Sequence, residues 1–487
     1  MVSFFSFLAL SLSTILFLVF LKSKLYCTCD VCHCYLKSKW STDYNNLCDW
    51  YTHLLQKSPS QTIHIHVLRN TITANPYNVE HILKTKFHNY PKGKQFSVIL
   101  GDLLGKGIFN VDGDSWLFQR KMASLELRNV SNAFDNVCYL VKCRLLPLLS
   151  SAARERDGGV VDLQSVFRQF SFEYICKFSL GLDLNSLELP FSISQFSDSF
   201  DLATTLSAKR ALFASPVIWK TNRILNMGSE RKLKEAVQNV NFLVEQVIEQ
   251  KKKLGFEKNQ DLLSRFMVVS DDHTFLRDVI INFVLAGRDT VASALTSFFW
   301  LILKHPQVES KIRLDLNQLM NGKQDFATLE QVKDHQLDYL QAAIYESMRL
   351  YPPIQFDSKF AVENDILPDG TRVKKGTRVT FHPYAMGRME TIWGKDCKEF
   401  KPERWLKNGI FNQESPFKYP VFQAGFRACL GKEMALMGMK TAVLCVLHRF
   451  SFMLVNSDAE LQFEPALTAT VKNGLPVTVS ERSVASH

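Results

Sequence analysis

Cys429 stands in the run Phe422-Gln423-Ala424-Gly425-Phe426-Arg427-Ala428-Cys429-Leu430-Gly431. The spacing predicts a hairpin-like turn that feeds a helix, with the cysteine at the helix start. Helix amides and the helix dipole favour a thiolate there. Gly425 and Gly431 lack a Cβ, so the backbone can turn sharply and lie flat against a large planar ligand. Arg427 can neutralise a carboxylate at that ligand's edge. A haem meets all three demands: an iron that takes one thiolate, a flat macrocycle, and propionates at its rim. Alone, Cys429 reads as a small buried hydrophobe. Phe422, Gly425, Arg427, Cys429 and Gly431 at this spacing favour the haem thiolate.

Three other groupings could do chemistry or support it. Gly287, Asp289 and Thr290 interrupt an apolar stretch predicted as a helix from Val279 to Leu303. An acid and a hydroxyl buried there without partners would be costly. A threonine hydroxyl can bond back to the preceding turn and open the helix, admitting oxygen and an ordered water. Thr290 can then donate toward bound oxygen while Asp289 supplies protons from solvent. The bland alternative is a helix end or a partly exposed face. Glu346 and Arg349 lie three apart on one helical face. A surface ion pair is the commoner case, and burial would demand further partners. Trp116 and Arg120 are one helical turn apart. A ring N–H and a guanidinium on one face can bind one propionate, although an ordinary amphipathic helix with a core Trp gives the same pattern.

These motifs, in this order, resemble those of the cytochrome P-450 monooxygenases. F-x-x-G-x-R-x-C-x-G at 422–431 is similar to the haem-binding signature. Ala286-Gly287-Arg288-Asp289-Thr290 resembles the oxygen-activating helix, and Glu346-Ser347-Met348-Arg349 the E-x-x-R helix. Phe400-Lys401-Pro402-Glu403-Arg404-Trp405 resembles the F-x-P-E-R-W segment, and Trp116-Leu117-Phe118-Gln119-Arg120 an earlier W-x-x-x-R. The resemblance runs from about Cys48 to the C-terminus. It implies a mainly α fold with small β-sheets, and haem b with Cys429 as axial iron ligand. Arg427, Trp116, Arg120, Phe422, Gly425 and Gly431 would surround the cofactor, with Lys359 near the second propionate. Thr290 and Asp289 would be catalytic. Glu346, Arg349 and Arg404 would form a structural triad that locks the segment beneath the cysteine loop. The implied reaction uses O2 to insert oxygen into a C–H bond. No flavin or nicotinamide fold is visible, so a separate NADPH-dependent reductase would supply electrons.

Closer similarity is to plant family 94. It is carried by Tyr90-Pro91-Lys92-Gly93-Lys94-Gln95-Phe96, Gly107-Ile108-Phe109-Asn110, Leu367-Pro368-Asp369-Gly370-Thr371-Arg372-Val373, Tyr384-Ala385-Met386-Gly387-Arg388-Met389 and Tyr419-Pro420-Val421-Phe422-Gln423-Ala424-Gly425. That resemblance implies ω-oxidation of fatty acids and of jasmonoyl-isoleucine. The runs 96–104 and 466–471 resemble the branch that carries the 12-hydroxy conjugate to the 12-carboxy form. Val98, Ile99, Leu100, Phe283, Ala286, Ile354, Gln355, Phe356, Leu467 and Thr468 would line the substrate channel. Phe426 departs from the family, where proline often precedes the arginine; a flexible residue there would loosen the cysteine loop. Competing readings are a hydroxylase of another lipid, terpenoid or sterol, a haem sensor or electron carrier, and a hydroperoxide-rearranging enzyme. The Asp289-Thr290 pair argues against the last two.

The elements that must position these residues follow from the rest of the chain. Its 487 residues carry a formal charge of +10 without a long basic block. That argues against nucleic acid and suits an anionic lipid surface or an acidic partner. Val2 through Leu21 contain only apolar and hydroxyl residues, about 30 Å as a helix, enough to cross a bilayer. Lys22, Lys24, Lys37 and Lys39 follow, and no small-residue cleavage site does. Residues 1–22 are therefore expected to be an uncleaved endoplasmic-reticulum anchor with the catalytic domain, 48–487, in the cytosol. Residues 23–47 hold Cys27, Cys29, Cys32 and Cys34 with His33. Zinc binding and S-acylation are open readings; a free, thiol-rich linker is the expected one. Thr62 to Val67 alternates as a half-buried strand does. Asn75-Pro76 is expected to turn, a helix to begin at Val79, and Asn89 to Asn110 to form a long loop. Helical periodicity then dominates from Ser115 to about Leu350, where Pro352-Pro353 stops it. Short strands are expected near Val373 and at 377–380, and an apolar helix from Met434 to Phe450. No internal linker or repeat splits the chain.

Overall fold

A computed structural model describes residues 27, 29–127, 130–155, 159–181, 193–213, 215–255, 261–320, 329–333, 337–458 and 460–482. The expected anchor, residues 1–22, lies outside them. The molecule is mainly helical with small sheets. The helices used below are α1 (Asp30–Leu36), α2 (Gly93–Leu104), α3 (Gly113–Glu126), α4 (Leu163–Leu180) and α5 (Ile193–Arg210). They continue with α6 (His273–Lys304), α7 (Asp338–Leu350) and α8 (Lys432–Arg449). The largest sheet holds β1 (Thr62–Ile65), β2 (Asn70–Thr73), β3 (Asp357–Phe360) and β4 (Arg378–Phe381) in spatial order β1-β2-β4-β3. β2 and β4 run parallel, with Asn70 opposite Arg378; β3 and β4 run antiparallel, with Phe360 opposite Arg378. A second sheet joins residues 450–454, 476–481 and 160–162.

Two apolar clusters result. The larger spans the helices and includes Phe167, Phe298, Phe299, Tyr345, Trp405 and Val443. The smaller packs beneath the four-stranded sheet and includes Cys32, Trp50, Ile72, Val379 and Phe381. α6 is apolar and long enough to cross a membrane by composition, yet its most apolar window is 83% buried, so it is a core helix. It contains the predicted span Val279 to Leu303.

Three expectations change. Asn89 to Asn110 is not a long loop but contains α2. Gly93, Gly101 and Gly105 disguise its periodicity, although Phe96, Ile99, Leu100, Leu103 and Leu104 recur at helical spacing. Asn75-Pro76 starts a helix, Pro76–Glu80: the Asn75 side chain accepts the Tyr77 amide at 3.0 Å and proline occupies the first turn. Residues 23–47 are also structured where described. α1 and a short 3-10 turn, Lys39–Thr42, occupy the expected linker, with Cys32 fully buried.

Candidate active site

α7 ends in two charges that are both buried. Arg349 Nε donates to Glu346 Oε2 and its Nη2 to Oε1, each at 2.8 Å, with neither side chain exposed. Such a pair survives burial only when every remaining donor and acceptor is met. Arg404 Nε donates to Glu346 Oε1 at 3.3 Å, the Lys401 amide to Oε1 at 3.1 Å, and Trp405 Nε1 to Oε2 at 2.8 Å. Arg349 also donates to the carbonyls of Gly387, Cys397 (2.6 Å) and Glu399 (3.0 Å). The predicted triad is thus assembled, and Lys401 and Trp405 extend it. It fixes the segment that leads into the cysteine loop.

In that loop the Cys429 amide donates to the Phe422 carbonyl at 2.8 Å. Gly425 has φ +61°, and a Cβ there would lie 2.1 Å from the Leu83 carbonyl oxygen. Its smallness lets the loop pack on the 81–85 turn. Gly425 does not line the cavity, which corrects the expectation that it lies against a planar ligand; Gly431 does line it, and a Cβ there would meet nothing within 4 Å. α8 begins at Lys432, three residues past the cysteine. Cys429 opens onto a cavity to which its sulfur is exposed, and the protein packed around it pushes its thiol pKa up despite the Gly431 amide, Arg120 and Lys432. Gln423, with φ +60°, is strained for a residue with a side chain. Phe426 is half exposed and packs on Phe87, ring centroids 5.1 Å apart, and Phe87 packs on Trp116 at 5.7 Å. Phe426 is therefore held by aromatic packing.

α6 passes over the same cavity with a π-turn at Leu285–Asp289. Thr290 Oγ1 donates to the Ala286 carbonyl at 2.6 Å, the back-bond that holds such an opening. A Cβ on Gly287 would come within 2.4 Å of Ile175 Cγ1, so glycine lets α6 press against α4 here. Thr290 lines the cavity; Asp289 does not. Asp289 is buried and accepts from Arg288 Nη1 at 2.6 Å, and burial raises its pKa. Arg288 also donates to Asp201 Oδ1 at 2.6 Å and to Ser197, and Asp201 is partly exposed. The acid is linked to the surface through α5, a connection no local motif announces.

The cavity is lined by nine of the ten predicted channel residues: Ile99, Leu100, Phe283, Ala286, Ile354, Gln355, Phe356, Leu467 and Thr468. Val98 is the exception. On α2 the lining residues are Phe96, Ile99, Leu100 and Leu104, one helical face, and Val98 is turned away from it. Trp116, Arg120, Phe422 and Arg427 also line the cavity. Arg120 Nη2 donates to the Ala428 carbonyl at 2.8 Å; Arg427 Nη2 donates to Asp112 Oδ1 at 2.6 Å and lies 4.7 Å over the Trp116 ring. Lys359 is buried, 3.0 Å from Asp357 Oδ2, while Lys92 takes Asp357 Oδ1 at 2.5 Å. Burial, with Lys92 and Arg427 nearby, pushes the Lys359 pKa down. Arg378, unmarked by any motif, also lines the cavity. It donates to Ser358 Oγ at 2.9 Å and the Ala211 carbonyl at 3.2 Å, both neutral, and among the described residues it forms no ion pair.

Five cations (Lys92, Arg120, Lys359, Arg378 and Arg427) and, among the described residues, a single carboxylate, Asp357, therefore line a mainly apolar cavity that holds an accessible thiol. This donor set fits a flat dianion whose metal takes one sulfur. The family model described as Cytochrome P450 matches residues 41–477. The chain belongs to the cytochrome P450 family. It is 55% identical to Cytochrome P450 94C1 of Arabidopsis thaliana, over 99% of this chain and 98% of that one. It is 47% identical to Cytochrome P450 94B3 of the same plant, over 90% and 88%. With Cytochrome P450 94A1 of Vicia sativa it shares 41% over 89% and 86%. It is thus a plant family 94 P450. A crystal structure of the cytochrome P450DA heme domain matches with a TM-score of 0.70 at 20% identity, covering 85% and 88% of the two chains, and agrees in fold. As a P450 the protein is a monooxygenase that uses haem iron, O2 and electrons originating from NADPH, passed on by a reductase, to oxidise a small molecule.

Proposed function

We propose that this P450 oxidises the terminal carbon of carboxylate-bearing lipids: fatty acids, jasmonoyl-isoleucine and its 12-hydroxy form, the last to the 12-carboxy product. The role would be breakdown of the hormone conjugate. The observation that carries the reading is Arg378, a partly buried guanidinium on a mainly apolar cavity that, among the described residues, pairs with no carboxylate. A site with such a group selects for an anion. The apolar faces of Phe96, Ile99, Leu100, Phe283, Ile354 and Phe356 suit the aliphatic chain, and a carboxylate held at Arg378 leaves the far end to react.

Cys429 would hold the haem iron, with Arg120, Arg427, Trp116 and Lys359 at its carboxylates and Phe422 and Gly431 along its face. Haem bound there supplies the oxidising chemistry, using O2 and two electrons. The chain's own residues control access and protons. Thr290 Oγ1, now bonded to the Ala286 carbonyl, can turn its proton toward the cavity. Asp289 holds a proton more readily than a solvated acid because it is buried, and Arg288 and Asp201 connect it to solvent. A terminal alcohol enters by the same face as the methyl it came from, so repeated oxidation to the acid needs no second site.

The exposed Val217, Ile218, Ile224, Leu225 and Met227, on and just after the helix Pro216–Ile224, favour association with a membrane. The apolar run at residues 1–22 would then be the anchor, in the endoplasmic reticulum, with residues 48–487 in the cytosol.

Reductase-coupled protein should convert 12-hydroxy-jasmonoyl-isoleucine to the 12-carboxy product and hydroxylate medium-chain fatty acids at the ω carbon, read by mass spectrometry. Exclusive in-chain oxidation, or activity confined to sterols or terpenoids, would overturn the substrate reading and leave the monooxygenase intact.

A further inference from the structure

The sulfurs of Cys27, Cys29 and Cys32 and a ring nitrogen of His66 all lie within 4.8 Å of one another. Cys32 lies in the first turn of α1, Cys29 caps its N-terminus and Cys27 precedes it. His66 comes from the 3-10 turn His66–Leu68 that follows β1. Cys29 Sγ lies 3.9 Å from His66 Nδ1. Tetrahedral zinc, with bonds of about 2.3 Å to sulfur and about 2.0–2.1 Å to nitrogen, needs ligand atoms roughly 3.5–3.8 Å apart. The cluster is a small contraction from that geometry.

Cys32 is fully buried and packs on the smaller apolar cluster, whereas Cys27 and Cys29 are half-buried and His66 is exposed. Small apolar packing accounts for Cys32 alone; it gives no reason for an exposed imidazole to close the set. All three cysteines are free thiols. Cys34 and His33, equally eligible in the sequence, do not belong to the group.

We propose that Cys27, Cys29, Cys32 and His66 bind one structural zinc ion. Three thiols each release a proton to solvent as the Zn–S bonds form, and neutral His66 donates through Nδ1. Three soft sulfurs and one imidazole select zinc over magnesium or calcium. The ion ties the segment that follows the proposed anchor to the end of β1. It would thereby fix where the chain leaves the catalytic domain. The proposal is independent of the substrate reading.

The test uses the full-length haem-loaded protein, dialysed against metal-free buffer, with zinc measured by mass spectrometry. One zinc per chain is expected, with an X-ray absorption spectrum at the zinc edge showing three sulfurs and one nitrogen. His66→Ala, at an exposed position, and Cys29→Ser should lose most of the zinc, while Cys34→Ser keeps it. The reduced carbon-monoxide spectrum checks that each variant is folded. Wild-type protein without zinc after growth in zinc-supplemented medium would overturn the proposal. So would zinc retained at full stoichiometry in both His66→Ala and Cys29→Ser, or a disulfide or thioester found on Cys27, Cys29 or Cys32.

Discussion

Cys429 lines the cavity at the start of the last long helix, where the P450 family holds its haem iron. Cys429→Ser should therefore abolish the reduced carbon-monoxide band of thiolate ligation and all turnover, while far-UV circular dichroism stays near wild type. Thr290→Ala removes the hydroxyl on the π-turn. It should keep haem and substrate binding but release peroxide in place of product, read as NADPH consumed per product formed. Arg378→Gln tests the proposed anchor. A charge-assisted hydrogen bond is worth about 1.5–3 kcal/mol, so KM for free fatty acids should rise roughly 10- to 100-fold. KM for the methyl esters should barely move. Equal effects on acid and ester would show that Arg378 only supports the sheet. The three residues differ in how readable they are. Cys429 and Thr290 sit in fixed patterns of unusual residue types. Arg378 lies in Thr377-Arg378-Val379-Thr380, a plain strand sequence, and its lack of a carboxylate exists only in three dimensions.

Helix α6 needs a tight seam with α4 as well as its opened turn. Ile175 occupies the space where a side chain on Gly287 would go. Gly287→Ala should destabilise the protein by about 1–3 kcal/mol, measured by thermal unfolding. Ile175→Ala should be milder than expected in that background, a coupling that a double-mutant cycle detects. Elements with a strong pattern were legible: α6, α7 and α8 follow from apolar runs and from proline or glycine at their ends. α2 was obscured because three glycines broke an otherwise periodic apolar face, and Val98 was misassigned with it. The link from Asp289 through Arg288 to Asp201 was hidden for a different reason: its members come from helices far apart in sequence. His66 is unreadable as a partner of Cys29 on the same ground.

At the scale of the molecule, acid stability should depend on His382. The ring is fully buried, accepts the Ala385 amide at 3.2 Å, and has its pKa pushed down by burial to about 3. The unfolded chain protonates this ring near pH 6.5, the folded chain only near 3. Between those values the unfolded state binds the extra proton, so stability is full above pH 6.5 and falls as pH drops. The slope approaches about 1.4 kcal/mol per pH unit. His382→Asn, which can still cap the following turn, should flatten the decline between pH 6 and 4 in denaturant titrations. An unchanged slope would assign acid sensitivity to other groups.

The parallel pairing of β2 with β4 places Asn70 opposite Arg378, and this sets a timetable for biosynthesis. β1 and β2 can form their hairpin as soon as they leave the ribosome, but the strand that covers the open edge of β2 is translated much later. At ~5–20 residues per second the wait is on the order of 15–60 s. Throughout it, the unpaired backbone edge of a short two-stranded ribbon is exposed to other nascent chains. Cys429 emerges later still, so haem cannot be captured until most of the chain has been made. Nonsense mutations anywhere before that point should yield aggregation-prone fragments with no partial haem protein among them, and ribosome-bound chains should remain chaperone clients until the last helix is released.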